Sequence, residues 1–313
     1  MAGNNATRRA CFFCIATAIA ASVVGAGPDA DRVREQFKSD NYTVKWGTAR
    51  TFDSNAELEV GDGWGHGFTL GWLRFRPENG RVNVLSLQVH ESRQRYSSKW
   101  PPDLAPVTVK WAQMKPDAYA ALLRDLAVVE AAELHATRPT SWVTLTSNFW
   151  VHARLTTNTR TLIDLDWTGY WRNDLEADFA KPRAAVRLAR AATAGLKFAE
   201  HKLTEEERGW ASAKFTRDWK RLTASDDYWW VKQRYIIMIG VVGDKSALSA
   251  LRAALQGDPK DQCVYYAINA ITRLTGQDVR DKPVEEMDLE KTRRRVLDLL
   301  SQKKEPVHGP RRK

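Results

Sequence analysis

A histidine and two aspartates, His152, Asp164 and Asp166, form the constellation in this sequence best suited to chemistry. An imidazole beside carboxylates can act as a general base or help to hold a metal ion. Residues 142–155 and 161–167 both read as β-strands. If Phe149, Val151, Ala153 and Leu155 face a core together with Ile163, Leu165 and Trp167, the strands pair around Thr157-Asn158-Thr159 and His152 falls opposite Asp164. The core face and the outer face then separate cleanly, and a cross-strand pair on the surface accounts for the same three residues. That structural reading is favoured, because no serine or cysteine nucleophile motif adjoins the trio and Arg154 competes for the carboxylates. Were the chain an enzyme, these three would be its catalytic residues.

Other motifs carry less. Residues 61–67, Gly-Asp-Gly-Trp-Gly-His-Gly, lack the Lys-Ser/Thr ending of a phosphate loop and the strand, helix and acidic residue of a dinucleotide site. A flexible loop is expected there, with Trp64 and His66 able to contact a ligand. The chain contains no His-Glu-x-x-His, Gly-x-Ser-x-Gly or paired Cys-x-x-Cys motif, so no metal and no cofactor is expected. Apolar neighbours make Cys263 a buried small hydrophobe rather than a nucleophile.

The elements that must position these residues change character along the chain. Residues 42–175 read mainly as strands. Residues 68–76 and 81–89 are β-rich runs joined by Pro77-Glu78-Asn79-Gly80, whose Asn-Gly pair suits a tight reversal and predicts a hairpin. The prolines of 101–106 predict a loop, and residues 107–111 a short strand. Pro116-Asp117 opens a helix with Tyr119, Leu122, Leu123, Leu126 and Val129 on one stripe, able to cover a sheet face. From Pro182 the period becomes helical: Ala185, Leu188, Ala189 and Ala192 make a small-residue stripe, and Arg183, Arg187 and Arg190 a polar face. Thr204 and Glu207 form a capping box. The expected class is α+β: a sheet domain over 28–181 and an all-α domain over 182–302.

The 313 residues suit two folded units at about 150 residues each, and 43% apolar residues can build cores for both. Disordered, membrane-channel and disulfide-framework classes are thereby disfavoured. Arg8-Arg9, an apolar run from Cys11 to Val24 and the small residues Gly25-Ala26-Gly27 follow the layout of a signal peptide over 1–27. Left uncleaved, the same segment would serve as a membrane anchor. Its removal leaves Cys263 as the sole cysteine and lowers the formal charge from +10 to +8. The basic tail over 303–313 is expected to be disordered and, as the favoured reading, simply solvated; if it has a partner, export points to anionic envelope surfaces rather than nucleic acid.

Toward the C-terminus the chain repeats itself. Asp227 and Asp258 stand 31 residues apart, and so do Tyr235 and Tyr266. The first unit carries Ile239-Gly240, Gly243-Asp244 and the stripe Ala247, Leu251, Leu255. The second carries Asp258-Pro259, a helix start, then Ala267, Ile268 and Ile271, with Gly276 closing the helix and Asp288 opening the last one. Over residues 226–301 this pattern resembles the short HEAT repeats of the phycobilisome-lyase type, although Leu274-Thr275-Gly276-Gln277-Asp278 replaces the Gly-Asp turn in the second unit. The resemblance implies a scaffold whose curved helical surface binds proteins, and it brings no active site. Tyr228-Trp229-Trp230 would offer an anchor at its edge. The expected function is an exported, non-enzymatic HEAT-repeat interaction protein of the cell envelope with a protein partner. The alternative is a glycan-binding or glycan-processing protein that uses tryptophans of the sheet domain and the trio His152, Asp164 and Asp166.

Overall fold

The structure, a computed structural model, describes residues 28–64, 69–89, 107–137, 148–170, 177–222, 229–257, 262–277 and 288–302. The expected leader and tail, His66, Tyr228 and the Asp258-Pro259 helix start lie outside these residues, as do the side chains of Trp64, Trp229 and Trp230. The protein is α+β, with antiparallel strands in the first half and helices in the second.

The expected hairpin forms from β3 (Thr69–Glu78) and β4 (Arg81–Val89), and Asn79 (φ 50) and Gly80 (φ 72) supply the two left-handed residues of the reversal. Outside it lie β2 (Glu57–Trp64), β7 (Asn148–Thr156) and β8 (Thr161–Tyr170) on one side, and β5 (Val107–Met114) and β9 (Ala199–Glu200) on the other. Among the described residues they make a seven-stranded antiparallel sheet in the order β8-β7-β2-β3-β4-β5-β9, while β1 (Tyr42–Trp46) pairs separately with β6 (Ala132–Ala136). Gly61 to Trp64 thus belong to a strand, not to the expected loop, because Gly61 and Gly63 pair with Trp72 and Leu70 on one side and with His152 and Trp150 on the other.

Both faces of the sheet are buried. Leu58, Val60, Phe75, Val84, Ala153 and Leu155 face a first helical layer made of α1 (Pro28–Ser39), α2 (Pro116–Glu130) and α3 (Ala177–Thr193). The predicted stripe of α2 is buried throughout, and the Tyr119 hydroxyl donates to the Ala56 carbonyl at 2.7 Å. α3 starts before the expected Pro182, straddles the expected boundary at 181/182 and packs on β7 and β8.

Leu70, Trp72, Leu85, Leu87, Val89 and Trp150 point to the opposite face. There they meet α4 (Glu205–Leu222) and α5 (Trp229–Val242), and the same core continues into α6 (Leu248–Leu255), α7 (Gln262–Thr275) and α8 (Leu289–Gln302). The sheet is therefore the middle of three layers. The expected clean division into core and outer faces is corrected: the face read as outer carries large apolar side chains whose burial stabilises by about 1.5–3 kcal/mol each, and α4 covers it.

Local signals position α4 and α5. The capping box closes as predicted: the Glu207 amide donates to Thr204 Oγ1 at 3.2 Å, and the Thr204 amide donates to Glu207 Oε2 at 2.8 Å. At the end of α5 a β-carbon on Gly243 would lie 2.4 Å from the Ile239 carbonyl and 2.8 Å from Ser212 Oγ, so only glycine lets the chain pass this close to α4. Ser212 Oγ accepts the Asp244 amide at 2.6 Å, and Asp244 caps the following 3₁₀ turn through the Ser246 amide. Gly276 (φ 70) ends α7, and Asp288 caps α8 by accepting the Lys291 amide at 3.0 Å.

Candidate functional site

The sequence-predicted trio lies in the seam between the sheet and α4. His152 pairs with Asp166, and Asp164 with Arg154, which corrects the expected pairing of His152 with Asp164. Two one-residue offsets add up: the turn closes from Thr157 to Arg160 rather than around Asn158, and a register shift follows between Thr156, which opposes Thr161, and Leu155, which opposes Ile163. All three side chains project toward α4, but they meet different surroundings.

His152 is fully buried and stacks on Trp150 with ring centroids 5.8 Å apart and planes 6° apart. Among the described residues neither of its ring nitrogens has a hydrogen-bond partner. Burial, reinforced by the Lys214 ammonium, pushes its pKa down to about 3 despite Asp218 and Glu59 nearby. Asp166 is ion-paired with Arg221 of α4, yet burial outweighs that cation and pushes its pKa up to about 6. Asp164 lies 3.8 Å from Arg221, and its side chain is 44% exposed.

Beside the trio runs a charged chain that the sequence reading did not pick out. Lys214, 1% exposed, lies 2.6 Å from Glu59 and 3.2 Å from Asp218, both buried as well. Burial opposes all three charges, but their mutual attraction prevails: the Lys214 pKa is raised and those of Glu59 and Asp218 are lowered. The Trp210 indole donates to the second Glu59 oxygen at 3.0 Å, and Arg74, clamped on Glu57, lies 4.1 Å from the centre of the Trp210 ring. Lys214, Asp218 and Arg221 recur at helical spacing on α4, a visible signal, whereas only the fold reveals Glu59 as their partner.

An aromatic cluster closes the rest of the seam. Trp72 lies 5.6 Å from Trp150, 4.8 Å from Phe215 and 5.4 Å from Tyr235. Gly61 makes this possible, since a β-carbon there would come within 2.8 Å of both indoles. Among the described tryptophans Trp72, Trp150, Trp167 and Trp219 are buried, and Trp46, Trp111 and Trp210 are half-buried. Cys263 is buried as expected.

A base working near neutral pH needs a pKa near 7 and a route to its substrate. Burial holds the His152 imidazole neutral down to about pH 3, and Trp150 stacks on it. Among the described residues no group of three or more His, Cys, Asp or Glu side chains is placed to hold a metal ion. The fold defines the class: an antiparallel sheet covered on both faces by helices, with a buried charged seam under α4. No protein-family model, curated protein or solved structure matches the chain.

Proposed function

We propose that this chain is an exported, non-enzymatic interaction protein of the cell envelope whose HEAT-like helical half binds another protein. The observation that carries the reading is the condition of the trio: α4 occupies the space where a substrate would meet His152, and Arg221 holds Asp166. The helical half ends on a different kind of surface. α8 turns Thr292 and Val296 inward and leaves Leu289, Leu297, Leu299 and Leu300 half-buried, next to the exposed Arg294 and Arg295. Leucines at the edge of a core beside cations suit the anchor and rim of a protein contact. Support for export comes from Arg8-Arg9 and the apolar run after them. Among the described residues no helix is long and apolar enough to cross a membrane.

The test uses the full-length chain in its native envelope, with a photo-crosslinking amino acid at Arg295 or, as control, at Lys45 on β1. A discrete protein adduct is expected from position 295 alone, and Leu297→Glu with Leu300→Glu should remove it. Equal adducts from both positions, or an adduct that survives the double substitution, would contradict the assignment. One observation favours the glycan-processing alternative: a carboxyl with a pKa of about 6, Asp166, suits acid–base work. Turnover of envelope glycans that disappears in Asp166→Asn would select that reading.

A further inference from the structure

The first face of the sheet, remote from the seam, is covered unevenly. α3 crosses β8, β7 and β2, and between it and the middle of the sheet runs a groove of about 720 Å³. A missing side chain helps to open it. The register across the sheet reads Val151, Asp62, Gly71, Gln88, and Gly71 shares the groove face with Leu73. A β-carbon on Gly71 would come no nearer than 3.9 Å to any group, the Leu87 carbonyl. Val60, Leu73, Val151, Phe179 and Val186 supply an apolar lining.

One wall is cationic. Arg183, Arg187 and Arg190 follow one another at helical spacing along α3, and all three line the groove. Arg187 reaches Asp40 at 3.5 Å, Arg183 lies 5.5 Å from the centre of the Phe179 ring, and Arg190 is ion-paired with Asp62. Of the charged residues that line the groove, three are arginines and one, Asp62, is a carboxylate.

We propose that the groove binds a monomeric anionic amphiphile, its apolar chain on Val60, Leu73, Val151 and Phe179 and its carboxylate received by Arg190 and Arg187. The volume falls in the range of about 300–1,000 Å³ usual for small-ligand sites. A guanidinium fork matches a carboxylate in two parallel hydrogen bonds. An extended peptide fits less well, because β2, β3 and β4 are each paired on both sides and offer no open backbone edge. Asp62 occupies Arg190 until the ligand carboxylate takes its place. This site lies across the sheet from α4 and does not rest on the proposed protein-binding role.

Isothermal titration of the full-length chain with dodecanoate below its micelle concentration tests the assignment, with dodecanol and acetate as controls. One-to-one binding of dodecanoate is expected, about tenfold or more tighter than dodecanol, with no measurable acetate binding. Gly71→Leu fills the groove and should weaken dodecanoate binding by about tenfold while leaving the thermal midpoint in place. Asp62→Asn releases Arg190 and should tighten binding, whereas Arg190→Gln should weaken it. If Gly71→Leu folds poorly, these opposite shifts carry the test. Equal affinity for dodecanol, an unaltered titration in a folded Gly71→Leu variant, shifts of the same sign for Asp62→Asn and Arg190→Gln, or displacement of dodecanoate by hexaglutamate would each overturn the proposal.

Discussion

Burial opposes the charged form of Lys214, His152 and Asp166 alike, yet in one layer of side chains the three end in different states. Lys214 keeps its proton because two carboxylates pair with it, and His152 loses its proton because burial and the Lys214 charge outweigh the same carboxylates at longer range. The consequence for stability can be signed. Folded His152 stays neutral down to about pH 3 while its unfolded form protonates near 6.5, so its contribution is complete above 6.5 and drains away as the pH falls toward 3. Asp166 runs the other way: with a folded pKa of about 6 against 3.8 unfolded, its contribution is complete below 3.8 and is lost as the pH rises through 6. Between pH 6 and 4 the two slopes oppose, each approaching about 1.4 kcal/mol per pH unit. The comparison that isolates the two groups is that of urea midpoints in each variant against the wild type, since buried carboxylates such as Glu59 and Asp218, with lowered pKa values, add their own loss of stability on acidification. Relative to the wild type, midpoints should fall more steeply with acidification in Asp166→Asn and less steeply in His152→Gln, and two parallel profiles would refute the balance. Both residues stand out in the sequence by their types, but nothing local says what covers a strand, so a surface position is what the sequence predicts for them.

Elements held by short-range geometry were legible, and those held by distant partners were not. The Asn79-Gly80 reversal, the Thr204–Glu207 capping box and the stripe of α2 each depend on residues a few positions apart, and each forms as read. The β7–β8 register depends on an irregularity at Leu155/Thr156 that no spacing announces. One overlooked sign lay in β4: residues 82–89 place apolar side chains on both faces, as a strand buried on both sides must. At this scale Lys214 fastens α4 to β2. Lys214→Ala removes the buried cation and leaves Glu59 and Asp218 only the half-exposed Arg217, 3.8 and 3.1 Å away, so a loss toward the lower end of about 3–5 kcal/mol is expected from chemical denaturation. The further substitution Glu59→Gln with Asp218→Asn should restore much of that loss, since it removes the under-compensated charges; failure to do so would mean that packing of the lysine stem dominates.

For the whole molecule the decisive fact is that the sheet and the helices of the second half share one interior. Trp72, Leu85, Leu87 and Trp150 belong to the same core as Phe215, Tyr235, Ile268 and Val296. A piece spanning residues 182–302 would expose the seam and carry only part of α3. It should give a non-cooperative thermal transition and bind dyes that report exposed apolar surface, whereas residues 28–302 should unfold in one step; a cooperative transition of the short piece would show that the helices stand alone. This joint interior was hard to foresee, because it unites strands and helices more than a hundred residues apart whose local patterns are each complete.

The contact of Trp72 with Trp150 also bears on observation. Two indoles with centroids 5.6 Å apart and planes inclined at 58° have interacting transition dipoles, and the chiral arrangement splits their ultraviolet absorption into bands of opposite circular-dichroism sign. One indole comes from the β3–β4 hairpin and the other from β7, on either side of the narrow gap above Gly61. The optical couplet exists only while that gap is closed, so the chain carries its own spectroscopic gauge of when the middle layer has assembled.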